Sequence, residues 1–352
     1  MAEAHINRIA TAVPPHEVHG AFRRFAERQL PDARSRTAFG RLAERARIER
    51  RYSVLMPEAD ASGTSCGFYR LGQFPSTGMR MARYAMAAPA LAETVCDRLG
   101  LAEEAAGITH LVLATCTGFA APGLDHWLIG RYGLNGGVER SILGFMGCQA
   151  AINALKLARH MVRSDPAARV LVLNLELCSL HLQPSTAPEQ LLCFLLFADG
   201  ASAALVTAEP VGLRLEGFGA ALLPEAHEQI TWHIGDNGFD MGLSGLVPLT
   251  LARALPRHRA AMLGGCGVAG FDLWAVHPGG RSVLDAVENG LDLPDGALAT
   301  SHAVLREHGN MSSATVMFVL QRLMEGARAG QRGCALAFGP GLSAEAMRFT
   351  VV

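Results

Sequence analysis

The 352-residue chain lacks a long apolar run and an excess of charge of either sign. None of its apolar runs reaches the roughly 18 to 20 residues that a membrane-spanning helix needs, so we expect no membrane span. Lys and Arg number 31 against 32 Asp and Glu, which gives a formal net charge of -1. That balance provides no general attraction for nucleic acid or for an anionic membrane surface, and neither is expected as a partner.

Paired cysteines and a secretion signal are also missing. The eight cysteines are scattered and form no C-x-x-C pair, so neither a zinc site nor a thioredoxin-like motif is indicated, and we expect no metal. The first residues, MAEAHINRIATAVPP, contain no basic segment followed by an apolar one, as a signal peptide would. We therefore expect a cytoplasmic protein with free thiols.

What the chain has is enough apolar sequence for a large core, since half of its residues are hydrophobic and 18% are charged. The first 100 residues are predicted to be mostly helical. The apolar runs at 109–115 and 170–177 predict strands buried on both faces. Between them, Ile152, Leu155, Ala158 and Val162 recur at helical spacing, which predicts a helix that begins at Cys148.

Two distant segments follow the same order. MGCQAAINALKLARHMVRSDPAARVLVLNLE and HGNMSSATVMFVLQRLMEGARAGQRGCALAFG each read as a glycine, a polar or reactive residue, a helix, a turn and a strand. This weak internal duplication predicts an α/β protein of two related halves, with sheets sandwiched between helices. We place the halves at residues 1–209 and 210–352, joined near Glu209 and Pro210.

Three residues stand at positions where α/β proteins place ligand chemistry. Cys148 begins a predicted helix, His277 ends a predicted strand, and Asn310 begins another predicted helix. Taken singly, Cys148 is better explained as a structural thiol, and Asn310 is most simply explained as a helix N-cap. Together they suit acyl transfer through a thioester: a helix N-terminus and an imidazole favour a thiolate, and an amide donates to an oxyanion.

Two chemistries use Cys, His and Asn in this chain order: papain-type peptide hydrolysis and thioester condensation. Papain-like enzymes carry the cysteine near the mature N-terminus, within a C-G-[SA]-C-[WY] type of signature. Here the surrounding sequence is GFMGCQAAI, in the middle of an alternating α/β pattern. Condensation is therefore favoured.

The blocks MGCQAA, LWAVHPGGRSVLDAVENGL, VLREHGNMSSATVMFVL and AFGPGL together resemble the chalcone and stilbene synthase-like type III polyketide synthases of the thiolase superfamily. The resemblance runs in order from about Thr115 to the C-terminus. It implies a thiolase-like layered αβαβα fold, a homodimer and no metal or organic cofactor. It also implies CoA thioesters as substrates: an acyl-CoA starter, extension with malonyl-CoA and closure of a ring.

Carried over by position, the resemblance makes Cys148 the acyl-carrying nucleophile. His277 and Asn310 would bind the thioester carbonyl and stabilise the enolate formed when malonyl-CoA loses carbon dioxide, and His277 would keep Cys148 ionised. The expected products are a pyrone or a resorcinol/phloroglucinol-type phenolic. Two alternatives stay open: a single condensation of the ketoacyl synthase III type, and a non-catalytic acyl-CoA-binding protein of the same fold.

The resemblance also assigns the residues around the substrate. Phe197 matches a gate between the CoA tunnel and the cavity, although a core aromatic would explain it too, and His181 either steers cyclisation or is a hydrogen-bonded wall residue. Ala121 stands where relatives extend a methionine into the partner subunit. The expected substrate-binding residues are Phe197, Trp232, Cys116, Thr117, Cys178, His181, Leu223 and Ser312.

An Arg-rich segment, 34–52, is either a solvated face or a surface for the CoA phosphates. By position in the resemblance, the expected CoA contacts are Arg41, Arg45, Arg51 and Gly280.

Overall fold

The computed structural model describes residues 2–57 and 64–352. Its strands are β1 (His5–Ala12), β2 (His16–Glu17), β3 (Tyr52–Ser53), β4 (His110–Ala114), β5 (Glu139–Leu143), β6 (Val170–Leu177), β7 (Asp199–Thr207), β8 (Leu213–Leu222), β9 (Ile230–Gly235), β10 (Gly238–Leu243), β11 (Leu273–Val276), β12 (Arg332–Gly339) and β13 (Ser343–Val351). Its α-helices are α1 (His19–Gln29), α2 (Ala33–Ala46), α3 (Thr77–Leu99), α4 (Leu101–Glu104), α5 (Leu124–Tyr132), α6 (Ala150–Ser164), α7 (Pro188–Leu196), α8 (Val247–Leu263), α9 (Arg281–Leu291), α10 (Ala299–His308) and α11 (Thr315–Gly326).

The main sheet repeats one pattern of pairing on its two sides. Its nine strands follow the order β11-β12-β13-β8-β1-β7-β6-β4-β5. From the centre outward, β1-β7-β6 pair antiparallel and β6-β4-β5 pair parallel. On the other side β8-β13-β12 pair antiparallel and β12-β11 parallel. The two patterns meet where β1 pairs with β8, and the predicted join at 209–210 lies between β7 and β8.

Helices lie in three layers around these strands. The buried faces of α6 and α11 share one apolar core with strands of both halves. A second core packs α3 and α5 against the outer face of the first half, and a third packs α8 and α9 against the second half. The layering confirms the expected αβαβα fold. Strands β6 and β12 are buried on both faces, which explains why their sequences are nearly continuous apolar runs.

The N-terminal hundred residues differ from the prediction, because they contain a central strand. β1 pairs with β7 along its length, yet its sequence, HINRIATA, mixes polar and apolar residues. Asn7 and Arg8 bond to other side chains or to backbone rather than to an apolar face. The strand therefore lacks the apolar run from which β4 and β6 were predicted.

The two functional helices begin slightly later than expected. Cys148 lies in a short 3-10 turn, Gly147–Gln149, that leads into α6. Asn310 forms an isolated bridge with Phe197, and a second 3-10 turn, Ser312–Ala314, precedes α11. Within residues 2–57 and 64–352, no helix combines the length and the apolar character needed to cross a bilayer.

Candidate active site

Cys148 is held at the entrance of α6 by a tight backbone turn. Gly147 before it has φ +65, and a Cβ there would lie 2.3 Å from Pro340 Cδ, so this position suits glycine. The Cys148 residue is half-buried, with Sγ 4.0 Å from Asn310 Oδ1. Ser312 is a second side-chain partner of the thiol, and it adopts φ +47. A non-glycine residue in this left-handed region marks a site that its surroundings must stabilise.

Asn310 is held in place by hydrogen bonds of both its backbone and its side chain. Its N–H donates to Leu196 O at 2.8 Å, and its carbonyl accepts from Ala198 N at 2.9 Å. The side-chain Oδ1 accepts from Ser312 N at 2.9 Å, and Nδ2 donates to Gly279 O at 3.2 Å. Since an amide group has two N–H bonds, one of them remains for a ligand.

His277 follows β11 directly and presents a ring without fixed partners. Its backbone N–H donates to Leu336 O at 2.7 Å, which extends the strand pairing by one residue. The ring is 1% exposed, and neither ring nitrogen has a hydrogen-bond partner among the described residues. Burial lowers the pKa of His277 to about 3, so the ring is neutral, with one nitrogen able to donate and the other able to accept.

These three residues line one cavity. It encloses about 990 Å³ of space, including the mouth that opens to solvent. Of the residues predicted to bind substrate, it brings together Phe197, Trp232, Cys116, Thr117, Cys178, His181 and Ser312. Apolar residues that the sequence did not single out complete the wall, among them Phe194, Ile230, Leu243, Leu251 and Phe338. The chamber is therefore suited to an apolar chain that ends at Cys148.

Two of the predicted contacts lie elsewhere. Leu223 is buried in the core of the second half and is absent from the cavity wall. Arg51 is 0% exposed, and its guanidinium donates to Phe197 O, so it does not fit the expected contact with a CoA phosphate. Its two neighbours in the prediction, Arg41 and Arg45, are exposed on α2. Gly280 lies directly before α9, next to the cavity-lining Gly279.

One wall of the cavity is an aromatic group bonded to a loop. Trp232 Nε1 donates to Cys116 O at 2.8 Å, and His181 Nε2 lies 2.7 Å from Thr117 O. The His181 ring stacks on Phe239 at 4.3 Å and meets Trp232 edge-on. Hairpin β9–β10, which carries Trp232 and Phe239, is thereby tied to the segment that follows β4.

His181 uses both ring nitrogens in this wall. Phe239 N–H donates to Nδ1 at 3.0 Å, so the proton resides on Nε2, which donates to Thr117 O. Burial lowers the pKa of His181 to about 3, which keeps the ring neutral. Of the two roles left open for this residue, the geometry favours a hydrogen-bonded wall residue, because no ring nitrogen is left to act on a polyketide.

A buried carboxylate behind the site escaped the sequence analysis. Glu176, on β6, is 0% exposed and accepts from Cys116 N at 2.9 Å, Thr117 Oγ1 at 2.8 Å and Ser313 Oγ at 2.6 Å. It therefore connects the loop after β4 with the turn that follows Asn310. Burial raises the pKa of Glu176 to about 7, although these hydrogen bonds lower it. A charged residue inside the mostly apolar VLVLNLEL strand is the sequence feature that could have indicated it.

The raised pKa of Glu176 predicts a pH-dependent stability that a Glu176→Gln variant lacks. The folded carboxyl titrates at about 7 against an ordinary 4.5, so the folded protein binds the extra proton between these values. Its stabilising contribution is complete below pH 4.5 and is lost as the pH rises through 7. Relative to Glu176→Gln, the free energy of unfolding should fall by about 3 kcal/mol from pH 4.5 to pH 8. Urea unfolding of both proteins at these pH values checks this; a constant difference contradicts it.

The ionisation of Cys148 differs from the sequence-based expectation. Burial raises the pKa of its thiol to about 12, and nearby Glu176 raises it further, whereas hydrogen bonding with Ser312 and Asn310 lowers it. With the pKa of His277 lowered, both shifts favour a neutral thiol and a neutral imidazole in the free protein. They do not favour the thiolate–imidazolium pair that the sequence suggested.

Comparison with known proteins finds the same family in both halves of the chain. The family model of the N-terminal domain of chalcone and stilbene synthases matches residues 2–210, and that of the C-terminal domain matches residues 216–352. The alpha-pyrone synthesis polyketide synthase-like protein Pks18 of Mycobacterium tuberculosis is 35% identical over 265 residues, 72% of this chain and 67% of the relative. The 1,3,6,8-tetrahydroxynaphthalene synthase of Streptomyces coelicolor is 34% identical over 246 residues, 68% of this chain and 66% of the relative.

A solved structure extends this similarity to three dimensions. The crystal structure of PKS-I from the brown alga Ectocarpus siliculosus superposes with a TM-score of 0.89 at 28% identity, covering 100% of this chain and 99% of the other. The resemblance seen in four sequence blocks is thus confirmed across both halves. The chain belongs to the chalcone and stilbene synthases, the type III polyketide synthases, which are enzymes of the acyltransferase type.

Proposed function

We propose that the protein loads an acyl-CoA starter on Cys148, extends it repeatedly with malonyl-CoA and releases a cyclised polyketide. The observation that carries this proposal is the convergence of Cys148, His277 and Asn310 on one largely apolar cavity. A nucleophile, a neutral imidazole without partners and an amide with a free N–H surround the same space. This combination serves both acyl transfer and stabilisation of an enolate.

Loading begins with attack of Cys148 Sγ on the thioester carbonyl of the starter. The thiol is neutral in the free protein, so its proton must leave as the new C–S bond forms, and His277 has an unoccupied nitrogen to accept it. Collapse of the tetrahedral intermediate breaks the bond to CoA sulfur. His277 returns the proton to that sulfur, and CoA leaves as a thiol.

In extension, the N–H groups of His277 and Asn310 stabilise the negative charge of an enolate. Malonyl-CoA loses carbon dioxide, and the electron pair of the broken C–C bond forms an enolate whose oxygen accepts from His277 and Asn310 N–H groups. The enolate carbon attacks the thioester on Cys148, and the Cys148 thiolate leaves. The chain, longer by two carbons, is now on CoA and can return to Cys148. One preorganised donor to such an oxyanion is typically worth about 3 kcal/mol.

Several further assignments belong to the proposal. Phe197 and Trp232 are proposed as gate and wall of the chamber. The residues proposed to shape it are Cys116, Thr117, Cys178, His181 and Ser312, and the proposed contacts for CoA are Arg41, Arg45 and Gly280. No metal or organic cofactor takes part in these steps. The product is a pyrone or a resorcinol/phloroglucinol-type phenolic; the similarity to Pks18, whose name describes alpha-pyrone synthesis, supports the pyrone.

The test is a product assay with purified protein, malonyl-CoA and a series of acyl-CoA starters of increasing length, read by mass spectrometry. We expect ions of chains extended more than once that have lost water or CoA on ring closure. A product extended once and left linear would instead support the alternative of a ketoacyl synthase III-like enzyme. Binding of acyl-CoA without turnover would support a non-catalytic protein.

We also propose that the protein is a homodimer, joined along β5. This strand is the edge of the main sheet, and Ile142 on it is 51% exposed. Phe119, 41% exposed, lines a groove together with Ile142 and Trp127. A second copy would cover both the unpaired strand edge and this apolar surface. The neighbouring Ala121 lies in the same loop as Phe119.

If the protein is a homodimer, its mass in solution is twice that of the chain. Light scattering after size-exclusion chromatography should give twice the chain mass of 37.4 kDa. Ile142→Arg should shift the population toward the monomer, because a buried arginine without a partner opposes association. As a control, Val211→Arg changes a residue that is 57% exposed between β7 and β8, and it should leave the dimer intact. A wild-type monomer at micromolar concentration contradicts the proposal.

A further inference from the structure

Arg51 is a fully buried cation that forms no ion pair, although the carboxylates of Glu17 and Asp199 lie near enough to favour its charge. Nη1 donates to Phe197 O at 2.8 Å and Nε donates to His19 Nδ1 at 3.0 Å, while the group lies 5.8 Å from the Phe22 ring centre. No carboxylate oxygen of residues 2–57 or 64–352 forms an ion pair with its guanidinium. Burial of such a group is costly, so its position calls for a compensating role.

The carbonyl that Arg51 holds belongs to the segment that grips Asn310. Leu196 accepts from Asn310 N–H, and Ala198 donates to Asn310 O. Phe197 lies between them and is paired with Asn310 in a parallel bridge. Arg51 therefore fixes the central residue of the three that set the backbone of Asn310.

Arg51 also touches the residue before Asn310. Gly309 has φ +70, and a Cβ there would lie 2.8 Å from Arg51 Cγ and 2.8 Å from Leu196 O. The aliphatic part of Arg51 thus packs directly against the turn that delivers Asn310. The contacts come from two directions: a hydrogen bond through Phe197 and close packing through Gly309.

The segment that carries Arg51, directly before β3, is itself anchored on both sides. Glu49 N–H and Arg50 N–H donate to Arg306 O at the end of α10, and Val54 N–H donates to Asp199 Oδ2. Hence the segment from α2 to β3 is held on one side by α10, which leads to the turn before Asn310. It is held on the other side by β7, the strand that follows Phe197.

We propose that Arg51 is a positioning residue, which holds the Asn310 amide and the Phe197 ring in register for the decarboxylation step. This inference rests on the function proposed above. An arginine suits the task because one planar group reaches Phe197 O and His19 at fixed angles, whereas a lysine is a single point donor. Burial lowers the pKa of Arg51 to about 9, so it remains protonated near neutral pH.

The experiment compares two rates in each variant: acyl transfer to Cys148, followed by intact-protein mass, and release of carbon dioxide from malonyl-CoA. Misplacement of a catalytic group by about 1 Å costs up to roughly 100-fold, so we expect Arg51→Met to lose about 10- to 100-fold in decarboxylation and far less in loading. Arg51→Lys should fall between wild type and Arg51→Met. His19→Ala, at a half-buried position, should show a smaller loss of the same kind.

Arg80 provides the matched control. It is also 0% exposed and donates to backbone carbonyls, those of Pro75, Leu180 and Leu182, but it makes no hydrogen bond to residues 196–198 or 310. In Arg80→Lys we expect the ratio of the two rates to stay that of the wild type, even if stability falls.

The outcomes separate the inference from the function on which it rests. Suppose that the wild type is active and that Arg51→Lys and His19→Ala have the same ratio of decarboxylation rate to loading rate as the wild type. That result refutes the positioning role of Arg51 but not the proposed function. The positioning role is also refuted if Arg80→Lys changes this ratio as much as the Arg51 variants do. Such a change would reflect a general loss of rigidity in the protein. A wild type that neither loads an acyl group nor releases carbon dioxide refutes the proposed function and the inference with it. If Arg51→Met does not fold, the Arg51→Lys and His19→Ala ratios decide.

Discussion

The Cys148→Ala variant is expected to fold and to form no condensation product. In the proposed mechanism, loading and extension both pass through a thioester on this sulfur, and no other described residue combines a thiol with the partners Ser312 and Asn310. Loss of a covalent nucleophile typically costs about 10⁴-fold or more in rate, which places the variant below the detection limit of a product assay.

Folding should survive because the sulfur contributes little packing. Cys148 is half-buried, and its contact with Asn310 Oδ1 is long at 4.0 Å. Deleting one sulfur atom there costs on the order of 1 kcal/mol, a small part of the stability of a domain. Thermal unfolding and the circular dichroism spectrum should therefore remain close to those of the wild type.

The measurement is intact-protein mass after incubation with an acyl-CoA, together with product analysis. The wild type should gain one acyl group and Cys148→Ala none. Cys266→Ala is the matched control, because Cys266 is also half-buried but lies outside the cavity wall. It should load normally. Product formation by Cys148→Ala at the wild-type rate would exclude the proposed mechanism.

The three proposed catalytic residues could be singled out from the sequence because each stands at the end of a regular element. His277 ends a strand of apolar residues, and Cys148 and Asn310 stand just before amphipathic helices. Such patterns are local in sequence. The spatial convergence of the three follows from the repeated α/β order, which places equivalent strand and helix ends of both halves side by side.

What escaped prediction depends on contacts between distant segments. Arg51 lies in an arginine-rich stretch, and only its burial against Phe197 separates it from the exposed Arg41 and Arg45. Glu176 is explained by donors from two other segments, which a strand pattern does not contain. Leu223 was assigned by position in the resemblance, and only the structure shows that it packs into the core of the second half.

The ionisation states likewise required the structure. A helix start and a nearby imidazole both favour a thiolate, and the sequence suggested one. Enclosure in an apolar cavity opposes it and raises the pKa of Cys148 to about 12. The balance of these effects depends on how fully the thiol is removed from water. The spacing of apolar residues along the sequence does not predict that. In the proposed mechanism, transfer of the thiol proton is therefore coupled to attack on the starter.

The Asn310→Ala variant is expected to lose malonyl-CoA decarboxylation by about 10²- to 10³-fold, while acyl loading falls far less. The amide N–H not bonded to Gly279 O is the donor proposed for the enolate oxygen, whose full charge develops only on loss of carbon dioxide. In the proposed mechanism, loading depends mainly on Cys148 and His277. Asn310→Asp should be impaired at least as strongly, because a carboxylate of the same shape offers no N–H and repels the enolate.

Carbon dioxide release from labelled malonyl-CoA, measured beside single-turnover loading of an acyl-CoA, separates the two steps for each variant. Asn289→Ala is the control: this α9 amide donates to Asp285 O within its own helix and does not line the cavity, so both rates should match the wild type. Asn310 also accepts from Ser312 N, and its removal could loosen the turn beside Cys148. Asn310→Asp retains that acceptor. If loading and decarboxylation fall equally in both Asn310 variants, the residue orders the turn instead of stabilising the enolate, and its proposed role is wrong.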